Sequence, residues 1–280
     1  MFVCTGQFRI NPRLGFIALL ALMAGGFYIP SQVQQVHATP PPLALDGVGV
    51  NTCSGQYCAH SQVLTTAHGH DVIVVVAETL AGANITSVTD TRGLNFTLRL
   101  SFNSNPYCFT CGGVVQTLWE YYAVAPSPLN SDNITVNIKP GLPPWDECCF
   151  VWGMQTIAIH GPNTRVVFDP DSSIPSACAQ PACGNCYAYG DTSTCSALIQ
   201  TSTYDFVIAA IAINDAGPCG SGYPLGIVPG FTSLIVQNNR FEMDYAITTR
   251  PRNTVVASCA GTDAVAMTLD AISFYGAFGT

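Results

Sequence analysis

Residues 71–77 read Asp-Val-Ile-Val-Val-Val-Ala, a β-branched run too short for a helix and apolar on both of its faces. Residues 85–90 and 95–100 alternate apolar and polar side chains around the turn Thr91-Arg92-Gly93. Similar short runs bounded by Gly, Pro, Asn and Asp predict strands over 114–124, 132–138, 150–160, 164–168, 205–213, 231–236, 240–248, 253–258 and 264–276. No segment after the N-terminal stretch keeps a helical period. About a dozen strands at hairpin spacing predict an all-β chain, a jelly-roll-like antiparallel β-sandwich.

The pattern recurs. Asp71-Val72-Ile73 matches Asp205-Phe206-Val207, Glu120-Tyr121 matches Asp244-Tyr245, and Ile157–Gly161 matches Ile272–Gly276. These pairs predict two degenerate copies, about 61–161 and 204–277, within a single domain of residues 39–280. The competing explanation is that any two all-β halves share strand chemistry. Two apolar half-sheets facing each other would bury both. Pairing Trp119, Tyr121 and Ala123 with Met243, Tyr245 and Ile247 predicts that these point inward. Glu120, Tyr122 and Asp244 then face solvent.

Two motifs carry a resemblance. One is Ser87-Val-Thr-Asp-Thr-Arg-Gly-Leu-Asn-Phe-Thr-Leu98; the other starts at Glu120-Tyr-Tyr-Ala and runs to Val136. With Phe168–Pro175 and Tyr204–Ile208, they resemble the secreted β-sandwich surface proteins of unassigned function found in ammonia-oxidising archaea and their relatives. The resemblance spans about Leu43 to the C-terminus. It implies a jelly-roll-like sandwich at the cell surface and supplies no catalytic residues. The cysteines around 108–111, 148–149 and 178–195 depart from the pattern.

The N-terminal segment changes the setting. Arg9 and Arg13 flank an uncharged apolar stretch from Leu14 to Pro30, and Val36-His37-Ala38 offers small residues for cleavage. Residues 1–38 are therefore expected to be a signal peptide. An uncleaved anchor is the alternative, although the stretch is short for a ~20-residue span. No second segment is long enough to span a membrane. Charged residues make up only 9% of the chain, with nine basic against seventeen acidic. That balance argues against disorder and against nucleic acid as a partner. Asn84, Asn95 and Asn133 each start an Asn-x-Thr glycosylation triplet.

Thirteen cysteines suit an oxidising compartment, and removal of the signal leaves twelve. Those twelve are Cys53, Cys58, Cys108, Cys111, Cys148, Cys149, Cys178, Cys183, Cys186, Cys195, Cys219 and Cys259. Structural disulfides stapling the loops are expected, with 53–58 and 219–259 as the pairs to name. Adjacent Cys148 and Cys149 should find separate partners. The spacing of Cys178, Cys183, Cys186 and Cys195 also fits four zinc thiolates, a reading that export disfavours. Cys108-Phe-Thr-Cys111 has redox spacing without a βαβ context.

Candidate chemistry is sparse, and no cofactor is expected. His68-Gly69-His70-Asp71 suits a transition metal or a polar turn. Asp169 and Asp171, with Asp90 or Asp191, offer oxygens to calcium or cap ordinary turns. A glycoside hydrolase needs two carboxylates across a cleft. Glu120 is the nearest candidate, and Glu78, Glu147 and Glu242 are unsupported seconds. Carbohydrate recognition would stack sugars on an exposed aromatic, with Trp145, Glu120 and Tyr122 as candidates. The preferred expectation is a secreted or cell-surface structural or adhesive module without catalytic activity. Its partners would be envelope components, glycans or copies of itself. Carbohydrate binding ranks second and glycoside hydrolysis third.

Overall fold

Sixteen strands build the described part of the chain, and every pairing between them is antiparallel. The computed structural model describes residues 42–274 except 52–59, 81–82, 105–114, 140–150, 180–194, 214–218, 220–229, 238–240, 251 and 260–263. All described residues belong to the unit Pro40–Thr280. The first nine strands are β1 (Ala44–Val48), β2 (Val50–Asn51), β3 (Ser61–Leu64), β4 (Asp71–Leu80), β5 (Asn84–Thr89), β6 (Thr97–Asn103), β7 (Gln116–Ala125), β8 (Asp132–Lys139) and β9 (Val151–His160). The remainder are β10 (Ser176–Ala179), β11 (Cys195–Thr201), β12 (Asp205–Ile213), β13 (Thr232–Gln237), β14 (Phe241–Ile247), β15 (Asn253–Cys259) and β16 (Ala264–Ser273). Among the described residues no helix is long and apolar enough to cross a membrane.

The all-β antiparallel sandwich expected from the sequence is present, and its sheets stack in four layers. Two five-stranded sheets lie at the centre, ordered β1-β9-β4-β7-β6 and β10-β16-β12-β14-β13. They face each other through Val72, Val74 and Val76 of β4 and Phe206, Ile208 and Ala210 of β12. The opposite face of β4 offers Ile73, Val75 and Ala77 to an outer sheet ordered β2-β3-β8-β5, meeting Ile134 and Val136. The opposite face of β12 offers Val207, Ala209 and Ile211 to the outer pair β11-β15, meeting Ile199 and Ala257. Strands buried on both faces explain the unbroken apolar runs at 72–77 and 206–213. Burying each such Val or Ile contributes roughly 1.5–3 kcal/mol.

The strand order of one central sheet repeats in the other, position by position: β1 with β10, β9 with β16, β4 with β12, β7 with β14 and β6 with β13. The outer pairs correspond in the same chain order, β3 with β11 and β8 with β15. The Asp71 and Asp205 matches open corresponding strands in register, whereas Glu120 and Asp244 fall on corresponding strands in a different register from the sequence alignment. Val72 lies opposite Val124 and Phe206 opposite Ile247, so Tyr121 corresponds to Asp244 and Glu120 to Met243. The slip of one residue puts the partners on opposite faces. Trp119 and Tyr121 point into the layer shared with β5 and β8, as expected for inward side chains. Met243 and Tyr245 point instead between the two central sheets.

Strands β2 and β5 have no counterpart among the described residues of the second half. Disulfides stand at those places. Cys178–Cys195 brackets the segment between β10 and β11, which corresponds to that of β2. Cys219–Cys259 ties the segment between β12 and β13, which corresponds to that of β5, to the end of β15. The second pair is the long-range one named from sequence. The first takes two of the four proposed zinc thiolates. The 53–58 pair and Cys108, Cys111, Cys148, Cys149, Cys183 and Cys186 lie outside the described residues.

Other expectations need correction. No strand runs over 164–168; only Phe168 bridges, to Ile272. The expected strands do not include β1, β2, β3, β10 or β11. They are short, and β10 and β11 border a Cys/Ala/Gly-rich stretch that reads as loop.

Candidate functional site

The first concentration of titratable groups sits where β4 begins and β9 ends. Strand β1 carries a bulge between Leu45 and Gly47, which leaves Asp46 outside the ladder. A bulge re-aims a side chain, and Asp46 turns to the loop before β4. Its Oδ2 accepts the backbone N–H groups of Ala67 (2.8 Å) and His68 (2.9 Å). Its Oδ1 lies 2.7 Å from His68 Nδ1. Asp71, fully buried at the start of β4, lies 2.9 Å from His160 Nδ1 at the end of β9 and bonds to the Asp46 carboxyl. The His68 and His160 rings stack with centroids 4.1 Å apart. His70 adopts φ 60°, the left-handed region, in the turn between them.

Burial pushes Asp71 up to about 8, and Asp46 beside it adds to the rise. Burial would also raise Asp46, but the hydrogen bonds from His68 and Ala67 outweigh it and hold Asp46 below the usual range. Burial and the neighbouring His68 lower His160. One proton arrangement satisfies all four groups: protonated Asp71 donates to ionised Asp46, and each imidazole donates its Nδ1–H.

The second half repeats the carboxyl pair without the imidazoles. Asp169 accepts from Ser202 N (2.6 Å), Ser202 Oγ (2.7 Å) and Asp171 N (2.8 Å). Asp205, fully buried at the start of β12, accepts from Thr203 Oγ1 (2.7 Å) and bonds to Asp169. Burial, with Asp169 beside it, pushes Asp205 up to about 8. In both halves an ionised acid pins the loop entering the central strand, and that strand's first residue supplies a buried partner.

A second concentration lies between the central sheets. Arg99 of β6 reaches across to Asp270 of β16 with Nε–Oδ2 2.7 Å and Nη2–Oδ1 3.1 Å. Its guanidinium lies 4.0 Å from the centre of the Phe168 ring, which meets Tyr122 edge-on at 4.9 Å. Glu120 is 1% exposed and raised well above its ordinary value, first by burial and then by Asp270.

These placements correct the sequence assignments. Glu120 and Asp244 do not face solvent; both are buried between sheets. Tyr122 is half-buried against Phe168 rather than offered to a ligand. Glu78 and Glu242 are closed in as well. The oxygens of Asp169 and Asp171 serve neighbouring turns, Asp171 Oδ1 accepting from Ser173 N and Oγ. Asp90 caps its own turn through Arg92 N and Leu94 N. Among the described residues no group of three or more His, Cys, Asp or Glu is arranged to hold a metal ion. Trp145, Glu147 and Asp191 lie outside the described residues.

Asp46 and His160 escaped the sequence reading. For Asp46 a signal existed: an acid followed by Gly inside the apolar run Leu43–Val50 marks a bulge. His160 closes an apolar strand and carries no local mark.

At the same end of the sheets, Pro42, Leu43, Tyr204, Ile247, Thr248 and Phe274 line an open cleft of about 310 Å³. Its walls are almost wholly apolar, and Tyr204 and Ile247 are exposed there. Comparison with known proteins returned no match: no family model, no curated protein and no solved structure matches the chain.

Proposed function

We propose that the chain is an exported structural or adhesive module of the cell surface, without catalytic activity of its own. The observation that supports this reading most is the placement of the acids. Each described carboxylate weighed for hydrolysis, Glu78, Glu120 and Glu242, is at most 1% exposed and lies between sheets. A glycosidase needs its pair open to a sugar across a cleft. Here Glu120, with Asp270 and Arg99, joins one central sheet to the other. Two disulfides accord with an oxidising compartment. The outer face of β11–β15 exposes Leu198 and Val256 directly opposite each other, an apolar pair available to the envelope or to another copy.

The test is antibody labelling of intact producing cells, with a glycan array on residues 39–280. Labelling without permeabilisation is expected, together with an N-terminus near Thr39 by mass spectrometry. Labelling only after permeabilisation would overturn the surface assignment. Array binding abolished by Trp145→Ala would move the function to carbohydrate recognition. A hydrolytic activity lost in Glu120→Gln with unchanged stability would overturn the non-catalytic reading.

A further inference from the structure

We propose that protons clasp this fold together, so that the folded chain is most stable in a mildly acidic medium and loosens toward alkaline pH. The argument is independent of the functional reading above. Five pairs of acids lie side by side among the described residues, Asp46–Asp71, Asp169–Asp205, Glu120–Asp270, Glu242–Asp244 and Asp90–Asp132, and eight of their ten members are at most 2% exposed. They take ten of the seventeen acids in the chain. An ionised carboxylate only accepts hydrogen bonds. Two carboxyls therefore bond to each other only when one of them carries a hydrogen. Each contact is a bond that exists in the half-protonated pair and becomes a repulsion when both ionise.

Among the described residues, the cations against these acids are Arg99 on Asp270 and the imidazoles of His68 and His160, fewer than the five pairs. Asp71 faces Asp46 on β1, His68 on the loop, His160 on β9 and neutral Ala125 on β7. Asp205 faces Asp169, with neutral Thr203, Thr248 and Ser273 around it. Glu242 faces Asp244 and the Cys219 backbone N–H. Glu120 and Asp270 share Arg99. Asp132 faces Asp90 and Thr91. The two equivalent pairs, Asp46–Asp71 and Asp169–Asp205, hold corresponding loops on the two central sheets. Loss of their protons unfastens the same corner of both halves.

The sign follows from linkage. Asp71, Asp205 and Glu242 release their protons only at about 8 in the folded chain. Unfolded carboxyls release theirs at about 4. Between those values the folded chain binds more protons than the unfolded one, so stability falls as pH rises through that window and levels off above it. The ionised partners Asp46 and Asp169, held low by their hydrogen bonds, set the acid limit below about pH 4.

The experiment measures the unfolding equilibrium of the full chain from pH 3 to 9 at fixed ionic strength, with Asp71→Asn and Asp205→Asn. Asparagine keeps a donor toward the partner carboxylate and cannot ionise. Native stability is expected to fall steadily from about pH 4 to about pH 8. Each variant should remove up to about tenfold per pH unit from the rise in the unfolding constant. Both variants should be less sensitive than the native chain to alkaline pH. A native profile that is flat or rising over this range overturns the proposal, as do variants that keep the full slope. If the variants fail to fold, potentiometric titration of the native chain decides. Protons released between pH 6 and 9, beyond those of the five histidines, the α-amino group and the free thiols counted separately, support the clasps, and their absence overturns them.

Discussion

Arg99 shows how much one side chain does here. Its fork on Asp270 and its stack on Phe168 join β6 of one half to β16 of the other. Asp270 is 1% exposed, so removing its cation leaves a sealed charge. Arg99→Ala is expected to cost about 3–5 kcal/mol in urea unfolding at pH 7. Arg99→Lys should recover less than half of this, because lysine reproduces neither the bidentate geometry nor the stack. A loss under about 1 kcal/mol would show that Asp270 simply takes up a proton. The glycosylation triplets separate at the same scale. Asn84 and Asn95 are exposed, whereas the Asn133 side chain accepts from Ser61 Oγ at 2.8 Å inside the outer sheet. Glycopeptide mass spectrometry should find modification at Asn84 or Asn95 and none at Asn133.

Among the elements, β9 and β14 approach closely at Gly153. A Cβ on Gly153 would fall 2.1 Å from Phe241 Cβ, so the two central sheets approach at a site only glycine fits. Gly153→Ala should destabilise by about 1–3 kcal/mol or more through overpacking. Combined with Phe241→Gly, which removes the clashing Cβ, it should cost less than the sum of the single changes, measurable in a double-mutant cycle. The disulfides act on elements too. Cys219→Ser with Cys259→Ser releases the segment between β12 and β13 from the end of β15. A loss of about 2–4 kcal/mol is expected, read as a fall in thermal midpoint of the oxidised protein. An unchanged midpoint would mean that the Ile199, Phe231 and Ala257 contacts hold that edge unaided.

For the whole molecule, the chain's own pattern determined the class. β-branched runs broken by turn residues dictate strands, and the acids opening 71–77 and 205–213 mark corresponding central strands. The 219–259 pair was also legible, since both cysteines read as loop residues of the second copy. Layer order was not. An acid inside an alternating strand normally signals a wet face, so Glu120 and Asp244 read as solvent-facing. Stacking the two halves closed the face of Glu120, the outer pair β11–β15 covered that of Asp244, and neither acid was left to water. What replaced water came from elsewhere in the chain: Asp270 and Arg99 for Glu120, Asp46 and His160 for Asp71. Local periodicity records which side of a strand a residue occupies, because that depends on its immediate neighbours. It does not record which sheet arrives on that side, and here the arriving sheet decides whether a carboxyl is an ion at a surface or half of a proton-sharing pair.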